Sequence, residues 1–102
     1  MLKKIFGRTG NEKVKVLLKN GATVIDVRTP NEYRTGHVQG SLNIPLGTFK
    51  ERLDEIAAIQ EPVIVCCRSG VRSGQALSLL RRRRDDCANG RSWKAVQSML
   101  YD

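Results

Sequence analysis

Two short apolar runs rich in β-branched residues constrain the fold of this 102-residue chain more than any other feature. They span residues 22–27 and 63–66, and each is as short and apolar as a buried strand. Each run is followed by polar residues and then by a helical pattern. Because strands that alternate with helices pair in parallel through right-handed crossovers, the sequence predicts an α/β domain with a mainly parallel sheet.

The remaining patterns extend this alternation of helices and strands. Thr29, Pro30 and Glu32 predict a capping box at the start of a short helix. Ser92 is predicted to cap the last helix, and residues 89–90 are predicted to form a turn before it. The other predicted elements are helices over 11–19, 49–57 and 73–84, and short strands over 42–45 and 85–88.

The size and charge of the chain limit the classes of function to consider. Lys and Arg number 18 and Asp and Glu number 10, so the net charge is 18 − 10 = +8. With 40% hydrophobic residues, the chain is expected to form a single domain over residues 1–102, with its core at 13–100. No apolar run reaches the ~20 residues that span a bilayer, and no signal-peptide pattern follows Met1. We therefore expect a cytoplasmic protein with no membrane partner.

The three cysteines, Cys66, Cys67 and Cys87, argue against both a disulfide framework and a metal site. Their number is odd, and adjacent cysteines bridge only with strain. A zinc site would need all three thiols together with His37, yet the spacing contains no C-x-x-C pair. We therefore expect no metal, no cofactor, and a reduced protein with one reactive thiol.

The polar loop over residues 67–72 lies where the chemistry of a parallel sheet is expected, beyond the carboxyl end of a strand. It joins the most apolar predicted strand to a helix N-terminus, where main-chain N–H groups and the helix dipole favour an anion. Arg68 and Arg72 add positive charge. A thiol in this loop is therefore expected to have a lowered pKa, to act as a nucleophile and to meet an anionic substrate.

Either of two adjacent cysteines is a candidate for that thiol. Side chains alternate along a strand, so Cys66 and Cys67 must point in different directions. Cys66 continues the apolar run and is interpreted as a buried sheet residue, whereas Cys67 is interpreted as the first loop residue and the nucleophile. Counted from Cys66, the segment reads C-x5-R, the spacing of cysteine-dependent phosphatases. A phosphatase that uses Cys66 is therefore kept as an alternative.

Four segments in series resemble the single-domain rhodaneses, a family of sulfurtransferases. They read VIDVRTPNEY at 24–33, GHVQGSLNIP at 36–45, CRSGVRS at 67–73 and NGRSWKAV at 89–96. Their order is kept over roughly residues 13–100, which is more specific than any single short motif. The resemblance implies a rhodanese-like three-layer α/β/α domain around a central, mainly parallel sheet.

The resemblance also implies a reaction. Cys67 would take a sulfane sulfur from a small anionic donor such as thiosulfate, become a persulfide, and pass the sulfur to cyanide or a thiol. The alternative within the same chemistry is a sulfur-relay module, in which a partner protein such as a cysteine desulfurase supplies the sulfur as a persulfide.

The same resemblance assigns roles to the residues around the thiol. Asp26 and Arg28 would support the loop or form its rim, with a surface ion pair as the alternative, and Ser73 would support the loop from the helix. Arg68 would contribute to the choice of donor, and Gly70 would supply a backbone angle that other residues disfavour. The main-chain N–H groups that would hold the sulfur atoms are those of Arg68, Ser69, Gly70, Val71 and Arg72.

Residues 81–84 are four consecutive arginines, at a place where the family has a glycine–aromatic pair. Four consecutive helical residues spread around a helix, and no aromatic stacking platform adjoins them. We interpret them as a solvated helix end and do not expect a nucleic-acid partner. Cys87 is interpreted as a buried, inert thiol. Whether Cys66 or Cys87 acts as a resolving thiol for an oxidised Cys67 stays open.

Overall fold

The computed structural model describes residues 10–101, so the expectation that no signal peptide follows Met1 concerns residues outside the described part. In chain order the elements are α1 (Gly10–Lys19), β1 (Thr23–Asp26), α2 (Pro30–Arg34), β2 (Leu42–Asn43), α3 (Leu46–Phe49), α4 (Leu53–Ala57), β3 (Val63–Cys67), α5 (Val71–Leu80), β4 (Cys87–Ser92) and α6 (Trp93–Met99). No helix among residues 10–101 has both the length and the apolar character that crossing a bilayer requires.

The four strands form one sheet in the order β2-β1-β3-β4, and every neighbouring pair is parallel. This confirms the predicted α/β fold class. The registers pair Asp26 of β1 with Cys66 of β3, and Cys67 of β3 with Ser92 of β4. The carboxyl ends of β1, β3 and β4 therefore meet at one edge of the sheet, and the segments that follow these strands lie beside one another.

The core has two halves, one on each face of the sheet, because side chains alternate along the strands. One half lies under α3, α4 and α5, and the other lies under α1 and α6, which gives the three layers that the resemblance implied. Alternation along β3 separates the two adjacent cysteines: Cys67 belongs to the first half and Cys66 to the second. Buried β3 side chains thus support both faces, as the continuous apolar run predicted.

Both predicted helix caps are confirmed. The Thr29 side chain accepts a hydrogen bond from the Glu32 N–H, and the Glu32 carboxylate accepts one from the Thr29 N–H, so the capping box is complete. The Ser92 side chain accepts a hydrogen bond from the Ala95 N–H at the start of α6. These local patterns depend on neighbouring residues alone, which is why the sequence reveals them.

Two predicted elements differ from the structure in more than their end residues. The helix expected over 49–57 consists of the separate helices α3 and α4, with a turn at residues 50–52 between them. The turn expected at 89–90 lies instead inside β4, where a register shift between Val65 and Cys66 accommodates it. A Cβ on Gly90 would come within 2.4 Å of Val96 and 2.9 Å of Ile64. This glycine therefore allows close packing of β4 against α6 rather than chain reversal.

The four consecutive arginines are only in part the solvated helix end that the sequence suggested. Helix α5 ends at Leu80, and the side chain of Arg84 is only 10% exposed. Its guanidinium donates to the carbonyl oxygens of Ile59 and Glu61, at 2.6 and 2.8 Å, and pairs with Asp86. Arg84 therefore joins the segment after α4 to the start of β4, a long-range role that composition cannot reveal.

Candidate active site

The polar loop follows β3 at the carboxyl edge of the sheet and leads directly into α5. Cys67 is the last residue of β3 rather than the first loop residue, and α5 begins at Val71, two residues earlier than predicted. Gly70 caps the helix with a φ of 108°, which confirms the expected special backbone angle. A Cβ at Gly70 would also lie 3.2 Å from the Cβ of Arg91, so glycine meets a steric need as well.

The thiol of Cys67 is surrounded by hydrogen-bond donors although the residue is only 1% exposed. The Gly70 N–H donates to Sγ at 3.0 Å, and the Ser73 Oγ lies 3.3 Å from Sγ. Burial alone would raise the pKa of Cys67, but the hydrogen bonds that its thiolate can accept, from the Ser73 hydroxyl and from the N–H groups of Ser73, Gly70 and Ser69, outweigh it. The pKa of Cys67 is therefore lowered, and the thiolate is favoured.

The neighbouring Cys66 has the opposite environment. It is fully buried in the other half of the core. Burial, together with the nearby carboxylate of Asp26, raises the pKa of the Cys66 thiol. A buried thiol that faces away from the loop cannot act as the nucleophile of a C-x5-R loop, so the geometry removes the support for a phosphatase that uses Cys66.

Arg72 points its guanidinium at a partner that the sequence did not reveal. It donates to both carboxylate oxygens of Glu32, at 2.7 and 3.0 Å. These bonds to Arg72, with that from the Thr29 N–H, lower the pKa of Glu32 to about 2. The sequence identified Glu32 only as part of a capping box, because its second role depends on a residue 40 positions away. The Arg72 side chain thus joins the start of α5 to α2.

Asp26 and Arg28 form a buried ion pair rather than a surface pair. Their residues are 0% and 3% exposed, and the guanidinium donates to both carboxylate oxygens, with its shortest contact at 2.7 Å. Arg28 also donates to the carbonyl oxygens of Glu32 and Gly36 and lies 5.0 Å from the centre of the Trp93 ring. The pair is therefore internal, and several hydrogen bonds satisfy each of its buried charges.

A hydrogen-bond chain links the thiol to β4 through Ser73. The Ser73 Oγ donates to the Asn89 Oδ1 at 2.7 Å, and the Asn89 Nδ2 donates to the Gly70 carbonyl at 3.0 Å. Sequence reasoning gave Ser73 a supporting role but placed Asn89 in a turn. Asn89 could have been identified only from its position in β4 beside β3, and this position follows from the strand register rather than from the local sequence.

An open pocket of about 610 Å³ lies beside the loop. Its lining residues come from the carboxyl edge of the sheet and the adjoining helices: Arg28, Glu32, Thr35, Arg68, Ser92, Trp93 and Lys94. Arg68 is exposed at the mouth of this pocket, and Lys94 adds a second cation over the Trp93 ring. No group of three or more His, Cys, Asp or Glu side chains between residues 10 and 101 is arranged to hold a metal ion.

Cys87 lies at the other end of the sheet from Cys67. The register pairs Cys87 with Val63, so Cys67 is about 13 Å further along β3. A disulfide needs Cα atoms within about 7 Å, so the native fold does not allow Cys87 to resolve an oxidised Cys67. Burial raises the pKa of Cys87, and its thiol donates to the Arg84 carbonyl at 3.4 Å. These contacts match the interpretation of a buried, inert thiol.

Comparison with known families identifies the family of this chain. A family model described as the rhodanese-like domain matches residues 10–99. The chain belongs to the rhodanese-like domain family. The matched range contains the Asp26–Arg28 pair, the Cys67 loop and Asn89.

Curated relatives of this rhodanese-like chain include thiosulfate sulfurtransferases. PspE of Escherichia coli is 46% identical over 57 residues, which cover 55% of this chain and 55% of PspE. GlpE of Pseudomonas paraeruginosa is 37% identical over 73 residues, which cover 70% of this chain and 64% of GlpE. YqhL of Bacillus subtilis, an uncharacterized protein, is 48% identical over 61 residues, which cover 60% of this chain and 48% of YqhL. The chain thus spans about half to two thirds of these relatives.

Solved structures share the rhodanese fold. A rhodanese with anions from Escherichia coli aligns with a TM-score of 0.65 and 37% identity, over 72% of this chain and 89% of that one. The human single-domain sulfurtransferase TSTD1 aligns with a TM-score of 0.64 over 89% of this chain and 92% of its own. Its 24% identity supports the likeness of fold alone.

Proposed function

We propose that this rhodanese-like domain is a sulfurtransferase that carries a sulfane sulfur as a persulfide on Cys67. The observation that carries the proposal is the 3.0 Å contact between the Gly70 N–H and the Cys67 Sγ, at the junction of β3 and α5. Cys67 is also the one of the three cysteines whose pKa is lowered. The likeness to PspE and GlpE, both thiosulfate sulfurtransferases, supports thiosulfate as the donor.

In the first half of the proposed reaction, the Cys67 thiolate attacks the outer sulfur of thiosulfate. A new S–S bond forms at Sγ, the old S–S bond of thiosulfate breaks, and its electron pair leaves with sulfite. The persulfide then carries the negative charge on its outer sulfur. The N–H groups of Ser69, Gly70 and Ser73 donate to Sγ, so they would stabilise the thiolate before the attack and again when it is regenerated after transfer.

In the second half, an acceptor attacks the outer sulfur of the persulfide. Cyanide would take that sulfur as thiocyanate, and the electron pair of the broken S–S bond would return to Sγ as thiolate. Arg68 and Lys94 at the pocket mouth would attract both anionic reactants. Because Cys67 is only 1% exposed, the proposal favours donors whose transferable sulfur lies at the end of a narrow group, as it does in thiosulfate.

The test is thiocyanate formation from thiosulfate and cyanide by the wild-type chain, Cys67→Ser and Cys66→Ala. We expect turnover by the wild type, a loss of at least about a thousandfold in Cys67→Ser, and near-wild-type turnover in Cys66→Ala. Cys66→Ala is the matched control, because it removes a neighbouring thiol that faces the other half of the core. Turnover that survives in Cys67→Ser would rule the proposal out.

A sulfur-relay role is the second candidate, because the chain is also similar to a putative sulfur carrier protein. That protein, YrkF of Bacillus subtilis, is 32% identical over 71 residues, which cover 70% of this chain and 38% of YrkF. In this role Cys67 would receive its sulfur from a protein persulfide. Slow turnover with thiosulfate but fast loading of Cys67 from a persulfidated cysteine desulfurase would favour the relay.

A further inference from the structure

The side-chain amide of Asn89 has an orientation fixed by two main-chain groups. Its Nδ2 lies 3.0 Å from the Gly70 carbonyl oxygen, and its Oδ1 lies 2.8 Å from the Arg91 N–H. A carbonyl oxygen only accepts hydrogen bonds and a main-chain N–H only donates them. The flipped amide is therefore excluded, and Oδ1 is the accepting end of Asn89.

This orientation determines where the Ser73 hydroxyl proton lies. The Ser73 Oγ is 2.7 Å from the Asn89 Oδ1, so Ser73 must donate to Asn89. A hydroxyl has one proton, and the same Oγ therefore presents a lone pair to the Cys67 Sγ, 3.3 Å away. A lone pair accepts a hydrogen bond from the S–H of a thiol, but it gives no stabilisation to a thiolate.

We infer that Asn89 is a positioning residue that competes with the Cys67 thiolate for the hydroxyl proton of Ser73. When Cys67 loses its proton to solvent, the Ser73 O–H must rotate from the Asn89 Oδ1 to Sγ. Ionisation breaks the S–H bond, its proton goes to solvent, and the S–H···O bond to Ser73 is lost; the rotation then breaks one O–H···O bond and forms one O–H···S bond. The Gly70 N–H donates to Sγ in either arrangement. Asn89 therefore limits the fraction of thiolate that the loop would otherwise allow.

The inference deepens the proposed function and rests on it, because Cys67 is the nucleophile of the proposed sulfur transfer. Removing the Asn89 amide changes no charge near the thiol. The charged and titratable groups around Cys67 are Arg68 beside it in the loop, Arg72 paired with Glu32, the Asp26–Arg28 pair, the adjacent Cys66, and Arg91 against Gly70. A shift in the pKa of Cys67 on removal of the amide would therefore come from the hydrogen bonds.

A double-mutant cycle on the full chain tests the inference. The quantity measured is the midpoint of the pH profile of Cys67 alkylation by iodoacetamide, with the modified residue located by mass spectrometry. We expect Asn89→Ala to lower the midpoint by about one pH unit, a tenfold change in the ratio of thiolate to thiol, because Ser73 then donates to Sγ. Ser73→Ala should raise the midpoint, and adding Asn89→Ala to Ser73→Ala should produce no further shift.

The cycle separates competition for the proton from a general effect on the loop. If Asn89→Ala shifts the midpoint equally with and without the Ser73 hydroxyl, Asn89 acts through the Gly70 carbonyl and the inference is wrong. A midpoint that is unchanged or raised in Asn89→Ala would also overturn the inference. Asn89→Leu, which fills a similar volume, provides a second variant, and far-UV circular dichroism checks that each variant folds. Because alkylation needs no sulfur donor, this cycle can succeed or fail independently of thiocyanate formation.

Discussion

The two ends of helix α5 each have a buried cysteine nearby, and the two thiols have opposite properties. Cys67 precedes the N-terminus of α5, where Gly70 donates an N–H to its sulfur. Cys87 follows the C-terminus, where its thiol donates to the Arg84 carbonyl. The pKa is lowered at the first end and raised at the second. Arginines lie near both thiols, so the presence of cations does not distinguish them. Hydrogen bonds to Sγ outweigh burial at Cys67, whereas burial prevails at Cys87.

The largest expected difference between the two ends is in thiol reactivity. At pH 8, iodoacetamide should modify Cys67 at least about a hundredfold faster than Cys87, because Cys67 is the thiol whose thiolate is stabilised. The modified sites can be counted by peptide mass spectrometry of the native protein at successive times. Denatured protein provides the control, since both thiols should then react at similar rates. Comparable rates in the native protein would contradict the proposed difference in pKa between Cys67 and Cys87.

Two arginines at the Cys87 end, Arg82 and Arg84, should differ in their contribution to the free energy of unfolding. Arg84→Gln removes donors from the Ile59 and Glu61 carbonyls and should lower the free energy of unfolding by about 2 kcal/mol. The matched control is Arg82→Gln at an exposed position, which should change it by less than about 0.5 kcal/mol. Urea unfolding of the two variants measures both values. Equal losses would show that Arg84 is an ordinary surface arginine.

Backbone strain also distinguishes the two ends of α5, because the strained residue Arg91 lies against Gly70 at the N-terminus of this helix. Arg91, with a φ of 68°, is the only non-glycine residue between 10 and 101 with a positive φ. Arg91→Gly should therefore be more stable than Arg91→Ala by about 1 kcal/mol, since alanine keeps the strain that glycine relieves. Thermal or urea unfolding of the pair decides this, and a more stable alanine variant would contradict the assigned conformation.

The smallest expected effect on stability concerns the Arg72–Glu32 ion pair, whose side chains are about one third exposed. The pKa of Glu32 is lowered to about 2 in the folded state, so the pair stabilises the fold at pH values above the usual 4.5. Glu32→Gln should cost about 0.5 kcal/mol at pH 7. The difference from wild type should shrink as the pH falls from 4.5 towards 2. A difference that grows with acidity would have the wrong sign for this pair.

Local patterns made much of the fold predictable from the sequence. The capping box at Thr29, the Ser92 cap and the continuous apolar run of β3 depend on residues near one another in the chain, and all three are confirmed. The opposite placement of Cys66 and Cys67 follows from the alternation of side chains along a strand. For the site, this reasoning led to the carboxyl end of β3 and predicted a lowered pKa for Cys67, which its environment in the structure produces.

The remaining features depend on contacts between distant parts of the chain. Glu32 reaches Arg72 across 40 positions, and Asn89 reaches Ser73 only because β4 pairs with β3. Residues 89–90 carry a strong turn signal, but the packing of Gly90 against α6 overrides it. Tertiary packing of this kind has no counterpart in a window of neighbouring residues, so it could not be predicted from the pattern alone.

The central claim is that Cys67 is the residue that carries sulfur, and intact-mass spectrometry after treatment with thiosulfate tests it most directly. The account predicts a gain of about 32 Da, one sulfur atom, that maps to Cys67, is absent in Cys67→Ser and disappears on addition of cyanide. A sulfur found on Cys66 or Cys87, or a gain that persists in Cys67→Ser, would contradict it.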